Sequence, residues 1–478
     1  MAVTKSANDK PPATSAELAV AALVQRARVA QARINDYSQE QADQLVAAVG
    51  WAILEPNRNR ALAELAVADT KLGNVPDKIT KNHRKTLGLL RDLHGVGSVG
   101  VISENPALGL TEIARPVGVV AAITPSTNPG ATPANKIINA LKGRNAVIVA
   151  PSPKGAGTCA LLIKYVHAEF DKIGAPHDLV QMLPIPISKE TTHALMRAAD
   201  LIVATGSQAN IRQAYSSGTP AFGVGAGNVA SIIAASADLD AAAAKITRSK
   251  TFDNATSCSS ENSVVIDAGV YSKALAALTK AGGVMLSGTE KWQLQEVLWP
   301  NGALSTKLIA QTAPMIAAAA GLTRSEFTNA KFLMVEEDGF GPAHPFSGEK
   351  LCPVLTVYQA RDFADAGRIV AKIYDDQGAG HSVSLHSTDP EQALTLGMSL
   401  KVCRVIVNQA HAIATGGSFD NGLPFSMSMG CGTWGGNNFS DNMTYRHYLN
   451  ITRISRTIPE RMPSIEDVLG GYLQRYGP

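Results

Sequence analysis

The sequence predicts an α/β protein built on parallel β-sheet, and two observations lead to this prediction. Segments of strand length that are apolar throughout, at 117–123, 146–150 and 201–204, alternate with segments whose apolar residues have helical spacing. Strands that are apolar on both sides are typical of a sheet that helices cover on both faces. Such a sheet binds its ligands at the carboxyl ends of the strands.

Composition limits the class of protein. The 478 residues are 45% apolar and 17% charged, which is typical of a globular protein with a large core. A net charge of +3 with scattered basic residues argues against a nucleic-acid partner. No run approaches about 18 apolar residues, and the polar segment 1–15 does not resemble a signal peptide, so we expect no membrane association. Five cysteines without a CxxC pair favour reduced thiols in a cytoplasm, and ten histidines without an HxxxH pair indicate no metal.

The chain divides into two α/β parts. Two amphipathic helices within 16–54 and a basic helix within 69–93 precede a β-hairpin arm, after which strands and helices alternate up to a helix from Gln208. A second α/β segment begins near Val229, and a late alternating stretch, 447–458, is predicted as an exposed edge strand. The predicted units are a Rossmann-type dinucleotide-binding domain (16–98 and 116–228), a catalytic domain (229–430), an oligomerisation arm (99–115 and 440–460) and a C-terminal tail (461–478).

Cys258 is a candidate nucleophile because it lies in a loop of small and polar residues, FDNATSCSSE at 252–261, between a helix and a strand. A structural cysteine normally has apolar neighbours, whereas a reactive thiol needs access and a polar site. The local sequence alone leaves both interpretations open. The other four cysteines lie mostly in apolar or glycine-rich settings, and we interpret them as structural.

Several polar or glycine-rich positions near strand ends are candidate ligand contacts. Asn128 could donate a hydrogen bond to an oxyanion, and Gly206 with Ser207 could hold a phosphate at a helix start. The glycine-rich segment 223–228 could let the backbone approach a flat cofactor, and Glu349 could bind ribose hydroxyls. Each also has a simpler interpretation as a turn, a crossover or a solvated charge.

Seven segments, in this order, resemble the aldehyde dehydrogenase superfamily and more closely its coenzyme-A-acylating branch. They are PSTNP at 125–129, ATGS at 204–207, GVGAGN at 223–228, KTFDN at 250–254 followed by Cys258, EKLCP at 349–353, GHS at 380–382 and GCGTWGGN at 430–437. The resemblance implies a dinucleotide-binding domain, a catalytic domain and a β-arm that joins subunits into a homodimer or homotetramer.

The resemblance also implies roles for individual residues. The nucleophile falls on Cys258, and the oxyanion donor falls on Asn128, helped by the backbone amide of Cys258. The implied cofactor contacts are Thr124, Pro125, Gly206, Ser207, Gly225 and Glu349.

One departure from the hydrolytic members predicts the acyl acceptor. Those members carry a glutamate in the glycine-rich motif, where 223–228 has no acid. That glutamate activates water, whose pKa of roughly 15.7 makes it a poor nucleophile without a base. A thiol with a pKa of about 8.5 is already partly ionised near neutrality. The resemblance therefore predicts the reaction aldehyde + CoA + NAD(P)+ to acyl-CoA + NAD(P)H through a Cys258 thioester.

Cofactor and substrate are predicted from fewer residues. The strand 146–150 runs into PSPKG without an acid, so Ser152 and Lys154 could bind the 2′-phosphate of NADP, while NAD stays open. The chain resembles the sulfoacetaldehyde dehydrogenases of the acylating branch, and a sulfonate would need cations. Acetaldehyde, propanal and succinate semialdehyde are the other candidate substrates. The candidate substrate contacts, each of which could instead be structural, are Arg248, Arg404, His381 and His411.

Alternative functions remain open. The chain could be a hydrolytic aldehyde dehydrogenase that recruits a base from elsewhere, a phosphate-dependent reductase of the same fold, or a scaffold protein that retains only the fold. The segment 463–476 has helical spacing and is predicted as a packed C-terminal helix, with a microcompartment-targeting helix as the alternative.

Overall fold

The structure is a computed structural model that describes residues 13–477. Residues 1–12, most of the segment expected not to be a signal peptide, lie outside the described residues, as does Pro478. The α-helices are α1 (Ser15–Arg33), α2 (Gln39–Leu54), α3 (Pro56–Thr70), α4 (Val75–Leu93), α5 (Ala131–Lys142), α6 (Ala156–Ile173), α7 (Lys189–Ala198), α8 (Gln208–Tyr215), α9 (Leu239–Thr251), α10 (Tyr271–Lys280), α11 (Gly288–Leu298), α12 (Ala313–Ala319), α13 (Phe363–Asp376), α14 (Pro390–Ser399), α15 (His411–Ala414) and α16 (Ile465–Tyr476). The strands are β1 (Gly100–Asn105), β2 (Leu110–Pro116), β3 (Val119–Thr124), β4 (Ala146–Pro151), β5 (Val180–Met182), β6 (Leu201–Thr205), β7 (Ala221–Val224), β8 (Val229–Ile233), β9 (Glu261–Asp267), β10 (Gly283–Met285), β11 (Phe332–Glu336), β12 (Val354–Ala360), β13 (Val383–His386), β14 (Val405–Val407) and β15 (Leu449–Ser455).

The first sheet has five parallel strands in the order β5-β4-β3-β6-β7. Every residue of β3 and β4 is buried. Because side chains alternate between the two faces of a strand, both faces of this sheet are covered. Helix α1 packs on α7, and α2 packs on α5 and α6. The predicted parallel sheet with helical cover is confirmed.

The second sheet has seven parallel strands in the order β10-β11-β12-β9-β8-β13-β14. The sequence predicts strands at 263–267, 354–358, 382–385 and 404–407, where apolar runs recur, and β9, β12, β13 and β14 lie there. The second α/β part is therefore also confirmed. Strands β10 and β11 and helices α11 and α12 were not predicted. Strand β10 has only three residues, of which only Gly283 is buried, so it lacks the apolar run that identified the other strands.

The order of the first sheet creates a ligand crevice. From β3, the strands β4 and β5 extend to one side, and β6 and β7 extend to the other. Ligands of α/β sheets bind at the carboxyl ends of the strands where the order reverses in this way. Strand β3 ends at Thr124 and β6 ends at Thr205, so the segments 125–129 and 206–207 begin at the same edge.

The third sheet is antiparallel and forms an arm. Strand β2 pairs with β1 on one side and with β15 on the other. Strand β15 is largely exposed, and Arg453 Nε donates to Glu112 Oε1 at 2.9 Å. The predicted hairpin and edge strand are therefore present. Their use in joining subunits stays a prediction.

The predicted basic helix of 69–93 is in fact parts of two helices. Helix α3 ends at Thr70, and Lys71 and Gly73 both have positive φ (59° and 74°), which no helix continues through. Helix α4 restarts at Val75, where Asn74 Oδ1 accepts a hydrogen bond from the backbone N–H of Asp77 at 2.9 Å.

The C-terminal helix α16 forms where helical spacing predicts it, but the prediction that it packs is wrong for this chain. Ile465, Val468 and Tyr472 are 68%, 63% and 62% exposed. A capping box between Ser464 and Asp467 stabilises its first turn without core contacts. Across residues 13–477, none of the helices combines the length and the apolar character needed to cross a membrane.

Gly88 on α4 tests how tightly this helix is packed. A β-carbon there would lie 2.3 Å from ring atoms of Phe425, so Gly88→Ala should lower the free energy of unfolding by about 1–3 kcal/mol. Gly471→Ala on α16 is the matched control, because a β-carbon there meets nothing within 4 Å. Urea denaturation of both variants measures the difference. A Gly88→Ala protein as stable as the wild type would show that α4 is packed differently.

Candidate functional site

A cavity of about 670 Å³ opens at the carboxyl ends of β3 and β6, and the second half of the chain closes its other side. Cofactor pockets typically have volumes of about 300–1,000 Å³. Both proposed reacting groups, Cys258 and Asn128, line this cavity.

The loop that carries Cys258 has an unusual backbone. Three successive residues, Asp253, Asn254 and Ala255, have φ between 51° and 59°, in the left-handed region that costs L-residues free energy. Polar contacts stabilise this conformation. Asp253 Oδ2 accepts hydrogen bonds from Lys78 Nζ at 3.0 Å and from Lys81 Nζ at 2.6 Å, and Asn254 Nδ2 donates to the Ala310 carbonyl at 3.0 Å.

His381 contacts the thiol of Cys258. Its Nε2 lies 3.5 Å from Cys258 Sγ, and its Nδ1 lies 2.6 Å from Ser382 Oγ. Burial, together with the charge of Arg404, lowers the pKa of His381 to about 3, so its imidazole is neutral. A neutral ring whose Nδ1–H donates to Ser382 Oγ leaves Nε2 free to accept a hydrogen bond from the Cys258 thiol.

Cys258 is a neutral thiol in this environment. Burial and then the negative charge of Glu349 raise its pKa to about 12. The thiolate is the reactive form. The thiol of Cys258 is therefore protonated in the ligand-free protein near neutral pH.

The glycine-rich segment 223–228 packs against Cys258. A β-carbon on Gly227 would lie 2.5 Å from the Cys258 carbonyl oxygen, so only glycine allows this approach. The backbone N–H of Gly227 donates to Glu349 Oε1 at 3.3 Å. Burial raises the pKa of Glu349 to about 8. Glu349, which we expect to contact a ribose, accepts this hydrogen bond from Gly227, and its charge, once the group ionises, raises the pKa of the Cys258 thiol.

The predicted cofactor contacts are only partly brought together. Thr124 and Ser152 are not among the residues that line the cavity. Thr124 is buried at the end of β3, and Ser152 lies at the start of the turn after β4. The predicted contacts that do line the cavity are Pro125, Lys154, Gly206, Ser207, Gly225 and Glu349.

Two of the candidate substrate contacts are structural. His411 is buried, its Nδ1 lies 2.8 Å from the Ser259 carbonyl oxygen, and burial lowers its pKa to about 4. Arg404 is buried and donates to the Asn442 side chain and to three backbone carbonyls. Neither lines the cavity, whereas Arg248 does. His381 contacts the thiol of Cys258 but does not line the cavity and, being neutral, does not supply a cation.

Sequence reasoning missed the cations of α4. The charged residues that line the cavity are five basic and two acidic ones: Lys81, Arg84, Lys85, Lys154 and Arg248, against Asp77 and Glu349. Lys78, Lys81 and Lys85 follow one another at spacings of three and four, which places them on one face of α4. This spacing could have indicated a cationic face on the helix. The sequence does not show whether that face is buried at a ligand site or exposed to solvent.

Residues 3–290 match a family described as the aldehyde dehydrogenase family. The chain belongs to the aldehyde dehydrogenase family. It is 65% identical to a sulfoacetaldehyde dehydrogenase (acylating) of Cupriavidus necator over 98% of this chain and 94% of that protein. It is 43% identical to a sulfoacetaldehyde dehydrogenase (acylating) of Bilophila wadsworthia over 94% of this chain and 98% of that protein. A crystal structure of an acetylating aldehyde dehydrogenase from Geobacillus thermoglucosidasius is 33% identical, with a TM-score of 0.90 over 94% of this chain and 98% of that chain. The expected aldehyde dehydrogenase-like fold is therefore confirmed.

The raised pKa of Cys258 predicts the pH dependence of its alkylation in the ligand-free enzyme. Since the thiolate fraction grows about tenfold per pH unit below the thiol pKa, the rate with iodoacetamide should rise about tenfold per unit between about pH 7 and pH 10. Peptide mass spectrometry at Cys258, with Cys258→Ser as the blank, gives the rate. A plateau below about pH 9 would contradict the environment described here.

Proposed function

We propose that this aldehyde dehydrogenase oxidises a small anionic aldehyde, foremost sulfoacetaldehyde, to its coenzyme A thioester with NADP, through an acyl intermediate on Cys258. The observation that carries the proposal is the surroundings of Cys258. The segment nearest the thiol, 223–228, contains no acid that could activate water, while the cavity beside it is rich in cations. The names of the two sulfoacetaldehyde dehydrogenase relatives agree with this reaction.

The protein residues account for the first half-reaction. Cys258 Sγ gives up its proton to solvent and bonds to the aldehyde carbon. His381 Nε2 accepts a hydrogen bond from the thiol before this step and so orients the sulfur, but its low pKa keeps it from holding the proton. The carbonyl oxygen becomes negative and accepts hydrogen bonds from Asn128 Nδ2 and the Cys258 backbone N–H. A nicotinamide dinucleotide held in this cavity would supply the acceptor for the hydride of this carbon. The Cys258 thioester remains.

The second half-reaction transfers the acyl group. The coenzyme A thiol loses its proton and attacks the thioester carbonyl carbon, and Cys258 Sγ leaves as a thiolate that regains a proton. Asn128 holds the oxygen again as it becomes negative. Thiol attack needs no strong base because a thiol ionises far more readily than water.

The cavity fits a dinucleotide with a 2′-phosphate. Its wall at the reversal point of the first sheet contains Gly206 and Ser207, directly before helix α8, where backbone N–H groups and the helix dipole favour phosphate. No acid follows β4 in the segment 151–155. Lys154 lines the cavity and has no salt-bridge partner within residues 13–477, so its charge is available to a phosphate. We therefore favour NADP over NAD.

The anion of the substrate has a matching set of cations. Lys85 Nζ donates to the Gly416 and Gly417 carbonyls at 2.7 and 3.2 Å, which leaves one N–H for a ligand. Burial, with the charges of Arg84 and Lys81, lowers the pKa of Lys85 to about 7. Burial lowers the pKa of Arg84, and the positive charge of Arg248 lowers it further. The carboxylate of Asp420 offsets part of this repulsion. A sulfonate would relieve this repulsion.

We also propose that two or four copies of the chain assemble through the β-arm. Strand β15 has one unpaired edge in this chain and an exposed backbone row, which is the surface that strands use to add to another sheet.

One observation favours a second candidate function, in which water and not coenzyme A releases the acyl group. Glu349 is a carboxyl group with a pKa of about 8 whose charge reaches Cys258, which are properties of a general base for water. Its carboxylate, however, accepts a hydrogen bond from Gly227, which holds it against the glycine-rich segment.

Omitting coenzyme A separates the two functions. With sulfoacetaldehyde and NADP+, sustained NADPH formation should require coenzyme A, and chromatography should find sulfoacetyl-CoA as the product. The Glu349→Gln variant should show the same requirement. Carboxylate released at full rate without coenzyme A would establish the hydrolytic function instead.

Arg248 tests the recognition of the anion. Arg248→Met should lower kcat/KM for sulfoacetaldehyde by about 10- to 100-fold, since a charged hydrogen bond contributes about 1.5–3 kcal/mol. It should leave acetaldehyde oxidation nearly unchanged. Arg361→Met is the control, because Arg361 is exposed, pairs with Asp365 at 3.1 Å and does not line the cavity. Equal losses with both aldehydes would remove Arg248 from the substrate site.

A further inference from the structure

Helix α4 contributes a buried ammonium group that contacts both the Asn128 side chain and the loop that carries Cys258. Lys81 Nζ donates to Asn128 Oδ1 at 2.9 Å, to Asp253 Oδ2 at 2.6 Å and to Thr256 Oγ1 at 3.2 Å. An ammonium has three N–H donors and no acceptor, so every donor of Lys81 has a partner. Asn128 is the proposed oxyanion donor, and Asp253 and Thr256 belong to the loop that carries Cys258.

The contact with Lys81 fixes which way the Asn128 amide faces. The oxygen and nitrogen of an asparagine side chain have nearly the same shape, and only their hydrogen bonds distinguish the two orientations. An ammonium can only donate, so the atom that faces Lys81 must be Oδ1. Nδ2, which in this structure has only a long contact of 3.5 Å to Thr127 Oγ1, is then left to face the cavity.

The surrounding charges make this arrangement rigid. Lys78 Nζ also donates to Asp253 Oδ2, at 3.0 Å, and to the Thr127 carbonyl at 3.1 Å. Lys78, Lys81 and Asp253 are all buried, and together they carry one net positive charge. Removing an acceptor from such a buried group leaves a charge without a partner, so the three side chains hold one geometry.

On the basis of the proposed function, we propose that Lys81 is a positioning residue that acts through Asn128. It holds Oδ1 away from the substrate and directs Nδ2 at the oxygen that becomes negative, and its charge polarises the amide so that Nδ2–H donates more strongly. The Cys258 loop does not depend on Lys81 alone, because Asp253 also accepts hydrogen bonds from Lys78 Nζ and from the Asn74 backbone N–H. Lys81 itself touches no reacting atom.

A double-mutant cycle tests this proposal. Lys81→Met should lower the rate of the NADPH burst by about 10- to 100-fold in the wild-type background, because a misoriented amide forfeits much of the 100- to 1,000-fold contribution of about one oxyanion donor. In an Asn128→Ala background the same substitution should change the rate by less than about threefold, since its target is gone. Equal fold-losses in the two backgrounds would overturn the proposal.

Lys78→Met is the matched control for the cycle. Lys78 shares the contact with Asp253 but does not contact the Asn128 side chain. Its effect on the burst should therefore multiply with that of Asn128→Ala, whereas the effect of Lys81→Met should not. If both lysines show the same coupling to Asn128, Lys81 acts only by holding the loop, and the proposal fails.

Two further measurements separate positioning from loss of structure. Alkylation of Cys258 by iodoacetamide creates no oxyanion, so Lys81→Met should leave its rate within about twofold of the wild type. A large change would show a displaced loop and overturn the proposal. Should Lys81→Met fail to fold, Lys81→Gln, whose amide still donates, replaces it in the same cycle with a smaller expected loss and the same criterion.

The burst precedes the entry of coenzyme A, so the cycle does not depend on what releases the acyl group. A wild-type burst without coenzyme-A-dependent turnover would count against the proposed function alone. A normal coenzyme A requirement with additive Lys81 and Asn128 effects would count against Lys81 alone.

Discussion

The buried carboxylate of Asp253 between two ammonium groups is the interaction on which the reaction centre depends. It ties helix α4, through Lys78 and Lys81, to the loop that carries Cys258. That loop has three successive left-handed residues, which would not persist without such bonds. At about 1–3 kcal/mol for each residue, the strain of the three sums to roughly 3–9 kcal/mol, so several polar contacts must stabilise the loop together.

Burial also sets the chemistry at the thiol. The same low-polarity surroundings raise the pKa of Cys258 to about 12 and lower that of His381 to about 3, so the free enzyme holds an uncharged pair. Charge appears at this pair only when the reaction creates it. Asn128, the proposed donor to that charge, lines the same cavity as Cys258. An acid-free glycine segment next to the thiol then leaves water without its usual activator.

The sequence allowed the parallel sheets, Cys258, Asn128 and the glycine-rich segment to be predicted, because each rests on local pattern or ordered motifs. It did not reveal Lys78 and Lys81, since lysines are mostly exposed and their partner Asp253 lies far along the chain. His411 was a candidate substrate contact because it lies near the motif segments in sequence, but its ring does not line the cavity. Nearness in sequence does not show whether a side chain faces the cavity or the core. The exposure of α16 was missed because helical spacing shows that a face is apolar and not that something covers it.

The mass of the intact protein tests the central claim most directly. The enzyme is mixed with sulfoacetaldehyde and NADP+ in the absence of coenzyme A, and the reaction is quenched in acid. Mass spectrometry gives the mass of the intact protein, and peptide mapping locates the modified residue. We predict one sulfoacetyl group per chain, located on Cys258, together with about one NADPH per site, and loss of the group within the turnover time after coenzyme A is added. Continued NADPH formation with an unmodified Cys258 would contradict the account.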